Sequence, residues 1–446
     1  MENNSKDDIG KARLPTEVIL LIIENLISDT THRRPILPAS DVITKTLRNL
    51  TLVSKAIYPT ASRLLWRNCL RIRSKESLRL FRDFISRDSI ITGWRPCEAY
   101  GSTKMFLAPF ESPLDGNPVT DFSDEEEEEG EEVTNPPADS TPSSYYPELK
   151  DMDTAKAVNE VLVTLAPVLT AIIVDMPLRS LRPEDDDTGI RPLFREGFEA
   201  LVNVEELVSI NDELYLDTTE DSSEPEVWAQ WPKLQRLALY GVLVRPKLWR
   251  DIISCPRLEM AVLSHPSSPY WDMSAENIKD QCSRAWTEAT FQKTMSFEDR
   301  VPYQGRKVII AMCDWEAFLP RFRHFTDSWE KLDPDDRIWI MTVPVEQAGA
   351  GSHFHHQSMH LPRVWTMDRA LRGSLWDDFD VFTDGWKRLG SDDREMVTTV
   401  PLDQPCSPAL TCLDCFELDM HKPWIRDHAF KGSLWDDIHT ERESRI

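Results

Sequence analysis

The stretch LQRLAL, residues 234–239, decides the fold class, because its spacing returns along the middle of the chain. Its leucines, Leu234, Leu237 and Leu239, form the pattern Leu-x-x-Leu-x-Leu. The same spacing or a looser version of it occurs in LTAIIV (169–174), LEMAVL (258–263), VIIAMC (308–313) and IWIMTV (338–343). Successive side chains of a strand point to opposite faces, so these stretches predict short strands whose alternate residues turn inward, with one extra inward residue before each strand.

Helix-like stretches separate these predicted strands. The strand stretches that begin at 169, 234 and 258 are 65 and 24 residues apart, which leaves room for one more unit near VEELVSI (204–210). We therefore expect residues 151–345 to form an irregular leucine-rich-repeat-like solenoid, in which each βα unit buries the apolar face of its neighbour. The alternative is an ordinary βα domain with a parallel sheet, which produces similar strings. The intervening helix-like stretches are TAKAVNEVLVTLA (154–166), LFREGFEALVN (193–203) and KLWRDIIS (247–254).

A tandem duplication occupies the C-terminal part of the sequence. FTDSWEKLDPDDRIWIMTVPVEQ begins at Phe325 and FTDGWKRLGSDDREMVTTVPLDQ at Phe382, a shift of 382 − 325 = 57. WTMDRALRGSLWDD begins at Trp365 and WIRDHAFKGSLWDD at Trp424, a shift of 424 − 365 = 59. The predicted tandem unit spans 325–437, with copies near 325–378 and 382–437 and a tail at 438–446.

Each copy ends in a predicted helix that is followed by the hexapeptide GSLWDD. Gly373 and Gly432 are expected to end these helices. We favour the interpretation that a structural unit was copied, with Trp376 and Trp435 in the core, since tryptophan among apolar residues is usually buried. The alternative is a duplicated binding site around these two tryptophans. The predicted apolar stripe is Trp365, Ala370 and Leu371 in the first copy and Trp424, Ala429 and Phe430 in the second.

The N-terminal stretch LPTEVILLIIENLI, which begins at Leu14, predicts a helix that is apolar on more than one side. Pro15 suits a first helical turn, and Glu17 suits the positive end of the helix dipole. The apolar run 18–23 covers more than a full turn, so one stripe can face a small core and another must face something else. Two further helical stretches follow, TLRNLTLVSKAIYP (46–59), which Pro59 is expected to break or kink, and TASRLLWRNC (60–69).

These stretches, taken in order, resemble an F-box of the form found in fungal F-box proteins. The pattern is Leu-Pro, an apolar first helix, a second helix with Leu-x-x-Val-Ser-Lys, and a closing Leu-Trp-Arg; it covers about residues 13–72. The residues 28–45 between the first two helices depart from the family, which has a short turn there. The expected fold is α/β, with a short N-terminal helical F-box followed by an irregular leucine-rich-repeat-like (βα) solenoid with a duplicated C-terminal unit.

The resemblance implies a substrate-recognition adaptor of an SCF-type ubiquitin ligase, non-catalytic in itself and without a cofactor. Its helices would bind the Skp adaptor of the cullin–RING core, and the region after them would bind a protein substrate. The adaptor contacts that the family pattern implies are Leu14, Pro15, Ile19, Ile22, Ile23, Val53 and Trp66. The substrate contacts, chosen by strand alternation alone, are Arg236, Ala238, Tyr240, Met260, Val262 and Ser264.

Composition restricts the partners. The formal net charge is −25, and removing the nine acidic residues of the tract 121–132 leaves −25 + 9 = −16, which argues against nucleic acid and anionic membranes as partners. No apolar stretch approaches a membrane span, the N-terminus lacks an apolar signal core, and the eight cysteines form no disulfide framework, so we expect the cytoplasm or nucleus. Residues 73–110 are expected to form a linking strand–helix unit and 111–150 an acidic disordered loop, more a solvated spacer than a site for a basic partner.

Two clusters keep an alternative function open, an α/β metal-binding enzyme. GSHFHHQSMH (351–360) places four histidines close together between His353 and His360, but without the Glu of a His-Glu-x-x-His site. Cys412 and Cys415 form a lone Cys-x-x-Cys that has only Cys406 nearby. We predict no metal at either cluster. A third interpretation is an interaction scaffold that joins no ligase.

Overall fold

The computed structural model describes residues 14–27, 36–110, 147–219, 224–267, 275–291, 301–314, 332–335, 337–344 and 361–376. Within these ranges the chain has an α/β fold with ten α-helices and eight strands. The helices are α1 (Thr16–Glu24), α2 (Val42–Leu50), α3 (Tyr58–Asn68), α4 (Lys75–Ile85), α5 (Pro96–Tyr100), α6 (Met152–Leu165), α7 (Ile190–Glu199), α8 (Pro246–Ser254), α9 (Ala275–Phe291) and α10 (Leu361–Arg372). The strands are β1 (Leu70–Ile72), β2 (Thr103–Leu107), β3 (Leu169–Val174), β4 (Glu206–Ser209), β5 (Arg236–Tyr240), β6 (Met260–Ser264), β7 (Val308–Asp314) and β8 (Ile338–Pro344).

All eight strands form one parallel sheet in which each strand pairs with the strands before and after it in the chain. The strand predictions are confirmed: the five patterned stretches fall on β3, β5, β6, β7 and β8, and the unit near 204–210 supplies β4. Leu234 and Leu258, which precede β5 and β6, are fully buried, as the extra inward position requires. The three helix-like stretches between the predicted strands also fall on helices, α6, α7 and α8.

The sheet begins earlier than the sequence predicts. β1 lies within 12–72, the range expected to be helical throughout, and β2 lies in the expected linking unit 73–110. Both strands join the sheet, since Arg71 pairs with Phe106 and Phe106 with Ile173. The N-terminal helices therefore lead directly into the sheet.

One face of the sheet is packed with helices and is called here the helical face. Apolar residues of α4 and α6 to α9, such as Leu78, Phe194 and Trp249, form a single core with the strand residues that point to this side. The central row of strand residues on it follows the parallel register across six strands: Met105, Ile172, Leu207, Leu237, Ala261 and Ile310. This face holds the main hydrophobic core of the chain.

The opposite face, called here the covered face, carries a second apolar core. Leu371 in the last turn of α10, Leu375 and Trp376 just after it, and Ile36 from the segment before α2 pack onto its strand residues. In the chain α10 follows β8 and crosses back over β6, so it buries this part of the sheet on its second side. The central row on this face is Phe106, Ile173, Val208, Ala238, Val262 and Ala311.

The three N-terminal helices enclose a small core of their own, which includes Ile23, Leu47 and Ile57. The second helix differs from the predicted 46–59. It begins at Val42, because Asp41 caps its N-terminus by accepting the N–H of Ile43 at 2.6 Å, and it ends at Leu50. Pro59 does not break this helix; it lies in the first turn of α3, where its missing N–H leaves no hydrogen bond unmade.

The first GSLWDD copy ends α10 as predicted. Gly373 has φ of 74°, a left-handed conformation that glycine adopts at little cost. Beyond it the N–H groups of Ser374 and Leu375 both donate to the carbonyl of Arg369, at 2.9 and 3.0 Å. Trp376 is then 3% exposed, so for this copy the prediction of a core tryptophan is confirmed. The second copy lies outside the described residues.

Candidate protein-interaction surfaces

Helix α1 is apolar on two sides, and only one of them faces the N-terminal core. Ile19 and Ile23 lie one turn apart and pack against α2 and α3. The stripe Leu14, Val18, Leu21 and Ile22, at spacings of four, three and one, is exposed. Isolated apolar side chains are common on protein surfaces, but a full helical stripe of them is typical of a protein-binding site.

Four of the seven expected adaptor contacts are exposed. Leu14, Ile22 and Val53 are 60%, 52% and 64% exposed, and Pro15 is exposed beside Leu14. Val53 lies in the turn after α2, whereas the sequence predicts that it is part of the second helical stretch, 46–59. The earlier end of α2 explains the difference, since Val53 no longer follows the helical period.

The other three expected contacts belong wholly or partly to the interior. Ile23 is 2% exposed and Trp66 3%, and Ile19 is half-buried. Trp66 joins the N-terminal helices to the sheet: its Nε1–H donates to the carbonyl of Gly101 at 2.9 Å, and its ring lies 6.2 Å from that of Phe81 in α4. Ile23 and Trp66 are therefore core residues and are not exposed to a partner.

The segment that separates α1 from α2 connects two parts of the molecule. Its described residues begin at Ile36, which is buried and donates its N–H to the carbonyl of Leu371 at 2.9 Å. The N–H of Leu37 donates to the carbonyl of Asn68 at 2.7 Å. The described part of this segment, which departs from the family pattern, therefore connects α10 to the end of α3.

The expected substrate contacts lie on the covered face. Met260, Val262 and Ser264 are buried there, and Ala238 is buried beside them. Arg236 and Tyr240 keep part of their surface. Strand alternation places these residues on one face correctly, but it does not predict that a helix covers that face. Another molecule can reach the buried positions only if α10 leaves the sheet.

Polar contacts fix α10 at several points along its length. Near its start Arg363 pairs with Asp175, Nη2 to Oδ1 at 2.7 Å, with both side chains largely buried. In the next turn the hydroxyl of Thr366 donates to the hydroxyl of Ser264 at 3.0 Å. After its end the guanidinium of Arg236 lies 6.0 Å from the centre of the Trp376 ring, within the range of a cation–π contact. These contacts hold one orientation of the helix on the sheet.

The chain matches no protein-family model, no curated protein and no solved structure.

A buried acidic cluster adjoins α8, and no sequence motif predicts it. Lys247 Nζ lies 2.8 Å from Glu226 Oε1 and 3.2 Å from Asp217 Oδ1. Burial raises the pKa of Glu226 to about 7, although Lys247 opposes the shift, and burial raises the pKa of Asp251 to about 6. One ammonium group thus faces three carboxyl groups, and burial raises the pKa of two of them, Glu226 and Asp251. The members are 34 residues apart in sequence, from 217 to 251, so only the fold brings them together.

The predicted histidine and cysteine clusters, 353–360 and 406–415, lie outside the described residues, as does the acidic tract 121–132. Within the part of the chain that the structure describes, no group of three His, Cys, Asp or Glu side chains is arranged to hold a metal ion. In the same part, no helix combines the length and apolarity that a membrane span requires.

Proposed function

We propose that this chain is an F-box-type substrate adaptor of an SCF-type ubiquitin ligase, acting in the cytoplasm or nucleus. One observation carries the proposal: on a three-helix unit with its own core, the stripe Leu14, Val18, Leu21 and Ile22 is exposed together with Val53. A unit of this size buries little surface alone, and a second apolar stripe suits docking onto another protein. The proposal extends the F-box resemblance, which covers this same unit.

We infer further that the sheet and its helices form an irregular leucine-rich-repeat-like solenoid that holds the substrate. The strand order supports this inference, since among the described strands it runs from β1 to β8 without a reversal. Doubly wound sheets reverse their strand order, and ligands bind at the reversal. A one-directional array instead stacks each unit only on its neighbours and offers an extended surface.

In this role the chain positions a substrate, and the conjugating enzyme with the RING subunit transfers ubiquitin. Arg236 and Tyr240 are the substrate contacts of the expected set that keep accessible surface. Both lie on the covered face: the guanidinium of Arg236 lies 6.0 Å from the centre of the Trp376 ring, and Tyr240 stacks on His265 at the other end of β5. The substrate surface proposed for the closed form is therefore the rim of the covered face.

The test is co-expression of the full chain with the Skp adaptor, followed by size-exclusion chromatography. The informative variant is Ile22→Asp with Val53→Asp, because both side chains are exposed and their replacement leaves the core of the three helices intact. The matched control is Leu80→Asp, an apolar residue of α4 that is 71% exposed and lies outside the α1 stripe.

We expect wild type and Leu80→Asp to elute with the adaptor and the double variant to elute alone. Circular dichroism of the double variant should match wild type. If folded wild-type protein forms no complex, or if the double variant binds as well as Leu80→Asp does, the adaptor role is overturned.

A further inference from the structure

The part of the covered face that receives the end of α10 is a defined binding surface. A small cavity there has a wall of sheet residues, among them Lys104, Ile173, Glu206 and Val208, and a second wall formed by Ala370, Gly373 and Trp376. Glu206 accepts from Arg236 at 2.9 Å and lies 3.8 Å from Lys104, so charged groups border an apolar floor. This surface, called here the docking surface, binds residues 365–376.

The contacts of the first copy depend on few features. Gly373 must take a positive φ so that the chain turns back, and Leu375 and Trp376 must then fill the apolar floor, where they are 0% and 3% exposed. Arg363, two residues before the copy, pairs with Asp175, and the hydroxyl of Thr366 donates to the hydroxyl of Ser264.

The second copy keeps nearly all of these features. WIRDHAFKGSLWDD (424–437) is identical to the first copy at nine of fourteen positions, including the Gly-Ser-Leu-Trp that turns and fills the floor. Lys422 stands where Arg363 does, with the shift of 59, and Phe430 replaces Leu371. Two contacts change: Ile425 stands where Thr366 does and has no hydroxyl for Ser264, and Arg426 stands where Met367 packs on the covered face.

We propose that the docking surface has two ligands in this chain, and that residues 424–437 can replace residues 365–376 on it. The first copy binds in preference, since a buried hydroxyl hydrogen bond favours it by roughly three- to tenfold in the equilibrium. Exchange of the copies releases α10 from the sheet and seats the second copy in its place, so the docking surface is filled in both forms. The proposal does not depend on the F-box role.

The experiment is photo-cross-linking in the full chain, with p-benzoylphenylalanine in place of Lys104, which lines the docking surface. Mass spectrometry then measures the share of cross-links to 365–376 and to 424–437. Four chains are compared: the otherwise unchanged chain, Trp376→Ala, Trp376→Ala with Trp435→Ala, and Ile425→Thr. Mixing isotope-labelled and unlabelled protein shows whether the bound copy comes from the same molecule.

We expect the unchanged chain to cross-link mainly to 365–376 and Trp376→Ala mainly to 424–437. The double variant should lose both products. Ile425→Thr restores the missing hydroxyl without disturbing the first copy, so it should raise the share of 424–437 by roughly three- to tenfold.

The proposal is overturned if folded Trp376→Ala yields no product at 424–437. Should Trp376→Ala fail to fold, Ile425→Thr decides alone: an unchanged share of 424–437 contradicts the exchange, because that substitution restores a hydroxyl that only the first copy has and leaves the first copy unchanged. A product at 424–437 that persists in the folded double variant would also contradict the proposal.

Discussion

The backbone N–H of Ile36 donates to the carbonyl oxygen of Leu371 at 2.9 Å, and both residues are buried on the covered face of the sheet. The hydrogen bond joins the segment between α1 and α2 to the last turn of α10. One residue further, the N–H of Leu37 donates to the carbonyl of Asn68 at the end of α3. The helices proposed to bind an adaptor are therefore connected, through two successive residues, to the helix that covers the proposed substrate face.

The pair between Arg363 and Asp175 should hold the start of α10 on the sheet. Asp175→Asn keeps the shape of the side chain and removes its charge, while Asn211 can still donate to it. Loss of a largely buried charge-assisted pair costs about 1.5–3 kcal/mol, so α10 should open more often. We expect hydrogen exchange of the α10 amides to accelerate by roughly ten- to a hundredfold.

The control for that variant is Asp368→Asn. Asp368 pairs with Arg372 one turn away, within α10 itself, and such exposed pairs contribute about 0.3–0.5 kcal/mol. Equal acceleration of exchange in both variants would show that the pair with Asp175 does not anchor the helix.

Trp66 should matter for stability more than for direct adaptor contact. Its ring fills the junction between α3, α4 and α5, lying 6.2 Å from both Phe81 and Tyr100. Removing a buried tryptophan side chain costs about 3–5 kcal/mol, so Trp66→Ala should lower the free energy of urea unfolding by that amount. Val53→Ala, at an exposed site, should change it by less than about 0.5 kcal/mol. A small loss for Trp66→Ala would contradict its placement in the core.

The sequence predicts the strands well because their signal is local. Burial of alternate residues, as in Leu237 and Leu239, is set by the period of the strand and needs no knowledge of distant partners. The sequence predicts the wrong boundaries for α2. Asp41 is a usable N-cap signal, but the apolar spacing that continues to Ile57 favours a later and longer helix. A cap at Asp41 and a proline at position 59 together favour the observed break between the two helices.

The covered face could not be predicted from the same patterns. The apolar stripe of α10 indicates that the helix packs on something, but alternation along β5 and β6 indicates only that two faces exist. Which helix meets which face is decided by contacts between residues far apart in the chain, such as Arg363 with Asp175. The cluster around Lys247 could not be predicted for the same reason, since its carboxyl groups occur at no regular spacing in the sequence.

A buried arginine should be essential to the loops that follow β3 and β4. Arg191 is 2% exposed, and its guanidinium donates to the carbonyls of Leu181, Tyr215 and Asp217, from Nη2 to Tyr215 O at 3.1 Å. Arg191→Met keeps the apolar stem and leaves these carbonyls without their donor. We expect a loss of about 3–5 kcal/mol in urea unfolding. Arg250→Met, on the exposed side of α8, should change stability by less than about 0.5 kcal/mol, and a similar loss in both variants would contradict the role given to Arg191.

The cluster around Lys247 should make stability fall as pH rises. Burial raises the pKa of Glu226 from 4.5 to about 7, so between these values the folded chain binds more protons than the unfolded chain. The free energy of unfolding therefore decreases with rising pH through this window and levels off above about 7. Glu226→Gln removes the titrating group, so its stability should depend less on pH and should exceed that of wild type at pH 8, by about 1–3 kcal/mol.

Glu224 is the matched control, because it lies two residues away and its pKa is shifted in the opposite direction. Burial alone would raise the pKa of Glu224, but hydrogen bonds from the hydroxyl and N–H of Thr218, both at 2.6 Å, outweigh burial and lower it. Its stabilising contribution is present at neutral pH and is lost as pH falls, so Glu224→Gln should be less stable than wild type at pH 8 and close to wild type in acid. Urea unfolding of the three chains from pH 4 to 8 measures both slopes. A wild-type curve that rises with pH between 5 and 7, unchanged in Glu226→Gln, would show that Glu226 is ionised in the folded chain and that Lys247 neutralises it.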